Sequence, residues 1–230
     1  MKSEEFATAM KNEKFAAAMN NEAIKTMGFL KTLMCSVALV LCSSFFISCS
    51  EEDNFVEEYP DWQKTNELFF KNLSDSVQNL IDMAPQRTDW KRIKSWSKPG
   101  DAGEYGDYII VNVLEEGSAS DNKTPLYTDS VSIDYLGRLL PSTSHPYGYV
   151  FDQSYYGEYD PDISTPMKFA VGSVVDGFST ALQHMRKGDK WRVYIPYELG
   201  YGTSDASAIP GYSTLIFDIT MVDFWSRTVK

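Results

Sequence analysis

Two hydrophobic periodicities divide the chain after residue 60. The first is helical, because apolar residues recur three and four positions apart from Asp61, which can act as an N-cap, to Pro85, where a helix ends. The apolar stripe consists of Trp62, Phe69, Leu73, Val77, Leu80 and Ala84, and it is widened by Phe70 and Ile81. We therefore predict an amphipathic helix over residues 61–84. Its apolar face must be covered either by this chain's own sheet, which we favour, or by a second copy of the chain.

The second periodicity begins after residue 100, where apolar and polar residues alternate as in strands. Strands are predicted at residues 108–114, 131–136, 168–171 and 190–195, and a last strand places on one face Leu215, Phe217, Ile219 and Met221. A short helix is predicted where helical spacing relates Phe178, Ala181, Leu182 and Met185, with Arg186 and Lys187 in its last turn and Gly188 at its end. The predicted fold class is α+β: a twisted antiparallel sheet, curved as a half-barrel, that wraps on one short helix and follows an amphipathic helix.

Composition narrows the class of protein. The chain has 230 residues, of which 43% are hydrophobic and 14% aromatic, so it is neither a disordered chain nor a protein with many membrane spans. Its formal net charge is −11, and no basic stripe offsets this charge. Because nucleic-acid phosphates repel such a surface, we expect no nucleic-acid partner.

The positions of cysteine and histidine limit the candidate chemistry. All three cysteines, Cys35, Cys42 and Cys49, precede residue 50, so the rest of the chain cannot contain a disulfide, a cysteine nucleophile or a cysteine zinc site. His145 and His184 are the only histidines, which excludes a site with several histidine ligands. Neither lies near a nucleophile-elbow motif, which disfavours a Ser-His-Asp triad. We therefore expect no metal and no cofactor.

The start of the chain has the pattern of a targeting segment. Residues 32–48 are uncharged, follow Lys31, and are just short of the ~18 apolar residues that a transmembrane helix needs, which favours a signal peptide over an uncleaved anchor. Counted from Met27, the signal peptide has an ordinary length, so residues 1–26, which contain a short near-repeat, are interpreted as overcalled or unstructured. Residues 46–49 resemble the lipobox of bacterial lipoproteins, in which the cysteine, here Cys49, is lipidated.

These patterns divide the chain into four parts. Residues 1–48 are the overcalled start plus the signal peptide, residues 49–60 a lipidated acidic tether, residues 61–104 the N-terminal helix with a connecting segment, and residues 105–226 the main domain. The acidic residues 50–53 resemble a signal that exports lipoproteins to the outer face of the outer membrane, and a solvated tether explains them equally well. We expect an outer-membrane lipoprotein, at the cell surface or facing the periplasm, anchored through Cys49 and monomeric.

Four motifs in a fixed order characterise the main domain. They are residues 131–137 (VSIDYLG), 150–154 (VFDQS), 169–178 (FAVGSVVDGF) and 195–218, which runs from IPYELGYG to LIFD. In residue type, order and spacing the set resembles the FKBP-type peptidyl-prolyl isomerases over about residues 105–225. The resemblance implies an FKBP-like fold and isomerisation of X–Pro bonds during protein folding, with proline-containing polypeptides as partners.

The resemblance also implies the site residues. It assigns catalytic roles to Phe151, Asp152, Tyr201 and Phe217, and substrate binding to Tyr135, Met167, Val174, Val175, Phe178 and Ile209. In this set the Val175 amide anchors the substrate carbonyl, Tyr201 donates a hydrogen bond, and Asp152 orients the site electrostatically. Phe178 replaces the tryptophan most frequent at the pocket floor, and Met167 replaces an aromatic residue. The resemblance therefore implies a smaller aromatic wall.

The residue chemistry agrees with isomerisation. Rotation of an X–Pro bond over its barrier of roughly 18–20 kcal/mol needs no nucleophile, metal or phosphate loop. An apolar pocket suffices, because it disfavours the charge-separated planar amide relative to the twisted one. Two other interpretations stay open: an FKBP-like chaperone or peptide-binding module of low activity, and a structural or adhesive surface lipoprotein in which the aromatic residues are only core.

Two inserted loops, residues 140–147 and 157–165, border the strands of the predicted pocket, and such loops often determine specificity. The second loop contains Glu158, Asp160 and Asp162, which suggests calcium. It lacks the glycine and the distal glutamate of an EF-hand, so we favour a solvated acidic loop.

We predict that the mature protein begins at a lipidated Cys49, because the charged, apolar and small-residue segments end there in the order of a lipoprotein signal. Each buried methylene of an acyl chain contributes about 0.8 kcal/mol to membrane binding, so several acyl chains should hold the protein firmly. Mass spectrometry of the membrane fraction measures this. A peptide in which an unmodified Cys49 is still joined to Ser48 would contradict the prediction.

Overall fold

The computed structural model describes residues 56–100, 103–118 and 122–226. All of them belong to one compact unit, Asn54–Lys230. The predicted signal peptide, its start at Met27 and the lipidation site at Cys49 lie outside the described residues. No helix in these three stretches is both long and apolar enough to span a membrane.

The described part of the chain forms one antiparallel sheet. Its strands are β1 (Trp90–Lys94), β2 (Tyr108–Glu115), β3 (Ser130–Arg138), β4 (Val150–Gln153), β5 (Met167–Ala170), β6 (Lys190–Ile195) and β7 (Leu215–Trp225). The order across the sheet is β1-β2-β6-β7-β3-β4, and β5 also pairs with β3. Because β7 pairs with the whole of β3, the strands β4 and β5 share the opposite edge of β3. This shared edge determines where the site opens.

Helix α2 (Asp176–Leu182) lies on one face of the sheet, and the main core forms there. The alternation in β6 buries Trp191, Val193 and Ile195 as the sequence predicts. In α2 and the turn after it, Phe178 and Met185 are also buried. The predicted α+β class, a twisted antiparallel sheet wrapped on a short helix and preceded by an amphipathic helix, is therefore confirmed.

The predicted end of this helix is wrong. Helix α2 ends at Leu182, so Arg186 and Lys187 lie beyond its last turn. The buried Asp189 carboxylate explains this, because it accepts the Arg186 amide at 2.8 Å and closes a separate turn. Gly188 adopts φ +86° in that turn, a conformation that glycine tolerates, and donates its amide to Met221.

Helix α1 (Trp62–Met83) covers the other face of the sheet, which confirms that it packs on its own chain. Phe70 and Val77 form a second apolar cluster with Ile110 of β2. Residues 109–111 are consecutive and all buried, because α2 and the main core cover one face of β2 and α1 covers the other. Buried polar residues, Asn66 and Ser74, complete the covered face of α1.

The face of α1 differs from the predicted stripe. Phe70 is only 4% exposed, whereas Phe69 is half-buried and Leu80 is 36% exposed. The buried face is rotated because Asn66 and Ser74 hydrogen-bond to groups of the sheet and its loops, which a search for apolar residues alone does not detect. Asp61 precedes the helix as predicted, yet it has φ 49° and its side chain makes no capping hydrogen bond.

Two strands were not predicted, for different reasons. Strand β1 is an edge strand whose five residues are all partly exposed, so it has no alternation to detect. Strand β4 has only four residues and pairs irregularly with β3. Strand β1 comes from the segment assigned to the helix and its connection, so this segment contributes to the same sheet as the main domain.

We expect Phe70→Ala to lower the free energy of unfolding by roughly 3–5 kcal/mol, as for a buried aromatic residue, and Phe69→Ala to lower it by less. Urea denaturation of the chain from Ser50 onward, which contains the whole compact unit, measures both values. Equal losses would contradict the orientation of α1.

The same chain is expected to sediment as a monomer, because the sheet covers the apolar face of α1.

Candidate functional site

The candidate site opens at a gap in the pairing of β3. Strand β5 pairs with Ser130–Ile133 and strand β4 with Leu136–Arg138, so neither of them reaches Tyr135. The residue that follows β4, Ser154, fills the gap. Its amide donates to the Tyr135 carbonyl at 2.9 Å, and its hydroxyl oxygen accepts the Tyr135 amide at 2.9 Å. The backbone at Tyr135 is thereby satisfied without a paired strand.

Five aromatic rings surround this gap, contributed by Tyr135, Phe151, Phe169, Phe178 and Phe217. The Phe217 centroid lies 4.7 Å from that of Phe178 and 5.4 Å from that of Phe151, both edge-to-face. The Tyr135 centroid lies 5.7 Å from that of Phe169 and 6.2 Å from that of Phe178, again edge-to-face. Such pairs contribute about 0.5–1.5 kcal/mol beyond their buried area. Tyr135, Phe178 and Phe217 are each 5% exposed, while Phe151 and Phe169 are more open.

Gly137 permits this ring packing. A Cβ atom at position 137 would lie 2.5 Å from the Phe217 ring and 2.9 Å from the Phe151 ring. Any larger residue would therefore displace one of these rings. This close approach explains why position 137 is glycine. A left-handed backbone does not explain it, because the φ of Gly137 is not in that region.

A carboxylate and two tyrosines form the polar edge of the cluster. The Tyr135 hydroxyl donates to Asp152 Oδ2 at 2.8 Å. Burial, with this hydrogen bond and the charge of Asp152, raises the pKa of Tyr135 and keeps its phenol neutral. Tyr201 is 47% exposed, and partial burial together with the charge of Asp152 raises its pKa. Asp152 is thus within electrostatic reach of both phenols.

The remaining predicted residues differ in how deeply they are buried. Val174 and Val175 are half-buried against the main core, and Val175 directly precedes α2. Ile209 is buried in the same core. Met167, in contrast, is 46% exposed at the start of β5. The ring from β5 that contacts Tyr135 belongs to Phe169, which our assignment of site residues omitted. The period of two places residues 167 and 169 on one face, and only the packing distinguishes them.

The loop between β4 and β5 is held by a buried carboxylate. Asp134, 1% exposed, accepts hydrogen bonds from the hydroxyls of Ser154 at 3.1 Å, Ser164 at 2.9 Å and Tyr159 at 3.4 Å. The acidic side chains of this loop at positions 158, 160 and 162 are exposed. Within the described ranges, no group of three or more acidic, histidine or cysteine side chains is arranged to hold a metal.

A cleft of about 210 Å³ lies apart from these rings. It is bordered by α1 and two short 3₁₀ turns, and its walls include Glu67, Tyr105, Pro196 and Tyr197. It contains none of the predicted site residues. Among the predicted site residues, Phe151, Val175 and Tyr201 keep exposed surface.

Comparisons with known proteins agree with the sequence motifs. Residues 121–222 match the family described as FKBP-type peptidyl-prolyl cis-trans isomerase. The chain is 38% identical over 123 residues to the macrophage infectivity potentiator of Trypanosoma cruzi, covering 53% of this chain and 56% of that protein. It is 33% identical over 116 residues to the FKBP-type peptidyl-prolyl cis-trans isomerase FkpA of Escherichia coli strain K12, covering 50% of this chain and 37% of that protein.

A solved peptidyl-prolyl cis-trans isomerase from Pseudomonas syringae pv. tomato is 25% identical, with a TM-score of 0.44, and the match covers 68% of this chain and 96% of that one. Of the two curated relatives, the chain spans about half of one and less than half of the other. The matches in sequence fall on the region that contains the ring cluster.

We predict that Gly137→Ala lowers the free energy of unfolding by about 1–3 kcal/mol, the usual effect of overpacking, because its Cβ would collide with two rings. Urea denaturation measures the loss, and aromatic NMR shifts report the displaced rings. Phe217→Leu, which removes the nearer ring, serves as the control: in the Gly137→Ala background it should cost less than in the wild type. Additive losses would show that the collision is relieved elsewhere.

Proposed function

We propose that this chain, whose residues 121–222 match the FKBP-type peptidyl-prolyl cis-trans isomerase family, catalyses cis–trans isomerisation of X–Pro bonds in extracytoplasmic or surface proteins. The observation that carries the proposal is the cluster of edge-to-face rings at the β3 gap, bordered by Asp152 and Tyr201. Proline-containing polypeptides are the proposed partners. No nucleophile, metal or cofactor is required.

The proposed mechanism uses desolvation and hydrogen bonding. A planar amide separates charge, and twisting removes this separation, so a proline ring seated on Phe178 and Phe217 leaves water and its planar ground state is disfavoured. The Val175 amide anchors the substrate carbonyl, and Tyr201, exposed at the edge, donates to the twisted amide. The barrier without catalyst is about 18–20 kcal/mol, so each interaction made only in the twisted state accelerates the exchange.

Asp152 and Tyr135 act together in this proposal. The Tyr135 hydroxyl is committed to Asp152 at 2.8 Å, so it positions the carboxylate and is not free to bind substrate. A phenol is protonated at neutral pH, and the raised pKa of Tyr135 keeps its hydroxyl a donor into more alkaline solution as well. Asp152 then supplies a fixed negative charge at the pocket edge, and no proton is transferred in the reaction.

A second candidate function is an FKBP-like chaperone or peptide-binding module of low activity. Phe178 supports it, because a phenylalanine at the floor offers a smaller platform than a tryptophan. The exposure of Met167 also supports it, because strand β5 then contributes only the ring of Phe169 to the aromatic cluster. Binding of proline peptides without acceleration of their exchange distinguishes this function from the first.

We also propose that the protein is a monomeric outer-membrane lipoprotein, held through lipidated Cys49. The apolar run before Cys49 and the acidic residues after it support the anchor. The packing of Phe70 and Val77 on the sheet supports the monomer, because these α1 residues are not available to a second copy. The client proteins then lie outside the cytoplasm.

The isomerase proposal predicts that the chain accelerates X–Pro exchange without a cofactor. Phe151→Ala removes part of the pocket wall, and Tyr201→Ala removes a hydrogen-bond donor. For each variant we expect a loss in the exchange rate of about tenfold or more, equivalent to roughly 1–3 kcal/mol. Phe178→Trp should leave the activity intact or raise it. NMR exchange spectroscopy on proline peptides, at matched folded concentration, measures these rates.

If a folded variant binds proline peptides and accelerates their exchange like the wild type, the substituted residue is not part of the site. If the wild type binds proline peptides and does not accelerate their exchange, the binding-module function replaces the isomerase function.

A further inference from the structure

We infer that residues 57–66, which precede the region that matches the family, form a brace that positions the two loops bordering the proposed pocket. The first loop, residues 139–149, leads into β4 with Phe151 and Asp152. The second, residues 202–214, contains Ile209 and leads into β7. The inference rests on the proposed function for its kinetic consequence, and the contacts themselves are independent of it.

The first contact is a carboxylate held by one loop. Glu58 accepts the hydroxyls of Ser142 and Ser144 at 2.5 Å each, the Ser144 amide at 3.1 Å, and approaches His145 Nδ1 at 3.2 Å. The backbone adds two bonds, from the Thr143 amide to the Glu58 carbonyl at 3.2 Å and from the Thr143 hydroxyl to the carbonyl of residue 57 at 2.8 Å. One short segment therefore binds four consecutive residues of the first loop.

These donors change the titration of Glu58. The hydrogen bonds from Ser142 and Ser144 lower its pKa from 4.5 to about 2, against a smaller opposing effect of burial. Because the pKa in the folded state is the lower one, this contact stabilises the folded state above pH 4.5 and is lost as the pH falls towards 2. The titratable groups that face it are His145 from the loop and Tyr59 from the brace. At neutral pH the contact is fully formed.

The second contact is a buried hydrogen-bond chain. Trp62 Nε1 donates to the Ser213 hydroxyl at 2.9 Å, and this hydroxyl donates to the Pro210 carbonyl at 2.6 Å. One turn later, the Asn66 side-chain oxygen accepts the Thr214 amide at 2.7 Å. The Trp62 indole is 8% exposed, so water does not replace these bonds easily. Pro210 directly follows Ile209, so this series of hydrogen bonds ends next to a proposed pocket residue.

The two contacts are joined by packing. The Tyr59 and Trp62 rings meet edge-to-face at 4.7 Å, and both pack on the main core. Burial and the negative charge of Glu58 raise the pKa of Tyr59, and Tyr149, at the end of the first loop, packs against the same core as Tyr59. Tyr149 in turn contacts the His145 ring at 5.1 Å. Both loops are thus tied to a segment of ten residues.

This arrangement suits positioning more than catalysis. None of the brace residues named here belongs to the proposed pocket set, so they act through Ile209 on one side and the approach to β4 on the other. An irregular loop loses conformational entropy when it orders around a substrate. A brace that orders it beforehand removes that cost from binding and leaves the rotation step unchanged. Trp62, Asn66 and Glu58 are therefore positioning residues.

The test is kinetic and uses the full chain in mild detergent. Trp62→Phe keeps the apolar ring and removes the donor, and Ser213→Ala removes the hydroxyl that it binds. We expect each to raise KM for a proline peptide about 2- to 10-fold, the value of one hydrogen bond, with kcat within about twofold of wild type. The double variant should have no higher KM than the single variant with the higher KM, because both substitutions remove the same hydrogen bond.

Val77→Ala is the matched control. It weakens the packing of α1 against Ile110 and touches neither loop, so it lowers stability and should leave KM unchanged. If Val77→Ala raises KM as much as Trp62→Phe at equal folded fraction, the effect is only stability and the brace is refuted. Unchanged KM in both Trp62→Phe and Ser213→Ala refutes it as well.

Amide hydrogen exchange tests the brace without any catalysis. Trp62→Phe should speed exchange at Gly211 and Tyr212, whose amides bind within the second loop, and Val77→Ala should not. Glu58→Ala should do the same at Ser144, with partial rescue by Glu58→Gln. If the wild type shows no isomerase activity, the proposed function fails, and these exchange rates still decide whether the brace orders the loops. Exchange unaffected in all brace variants would overturn the inference.

Discussion

The divided edge of β3 is the constraint on which the site depends. Two short strands share this edge, and neither reaches Tyr135, so the backbone there needs partners from outside the sheet. Ser154 provides both of them, and Asp134 below it binds the Ser154 hydroxyl and the loop that follows. A single long strand at this edge would satisfy the backbone without leaving an opening. Beside this gap the Asp152 carboxylate is exposed, and the buried Tyr135 donates its hydroxyl to that carboxylate.

The ring cluster is a consequence of this opening and of one small residue. Phe217 on β7 and Phe151 on β4 approach from the two sides of β3, and they meet above Gly137, which has no Cβ atom to separate them. Phe178 from α2 closes the floor at 4.7 Å from Phe217. Phe178 and Phe217 are almost fully buried, whereas Phe151 keeps some exposed surface and the Asp152 carboxylate is exposed.

The part of the chain before the family match is not an appendage of this fold. Helix α1 covers the face of β2 opposite the main core, so Ile110 is as buried as its neighbours Ile109 and Val111. The N-terminal end of α1 then reaches Ser213 and Thr214, which directly precede β7. Helix α1 therefore has two separate roles: its middle, at Phe70 and Val77, covers the sheet, and its N-terminal end, at Trp62 and Asn66, binds the loop before β7.

The sequence by itself determined the periodic parts of the fold and proposed most residues of the candidate site. Alternation located β6 and β7, helical spacing located α1 and α2, and the motifs named nearly all of the rings, because each of these signals depends on local order along the chain. The tertiary structure decided what depends on distant contacts. Four features depend on contacts between residues far apart in sequence. They are the pairing of the edge strands β1 and β4, the orientation of α1 with Phe70 inward, the contact of Phe169 rather than Met167 with Tyr135, and the hydrogen bond from Trp62 to Ser213. Local periodicity contains no information on such pairs, because packing and hydrogen-bond satisfaction across the fold select them.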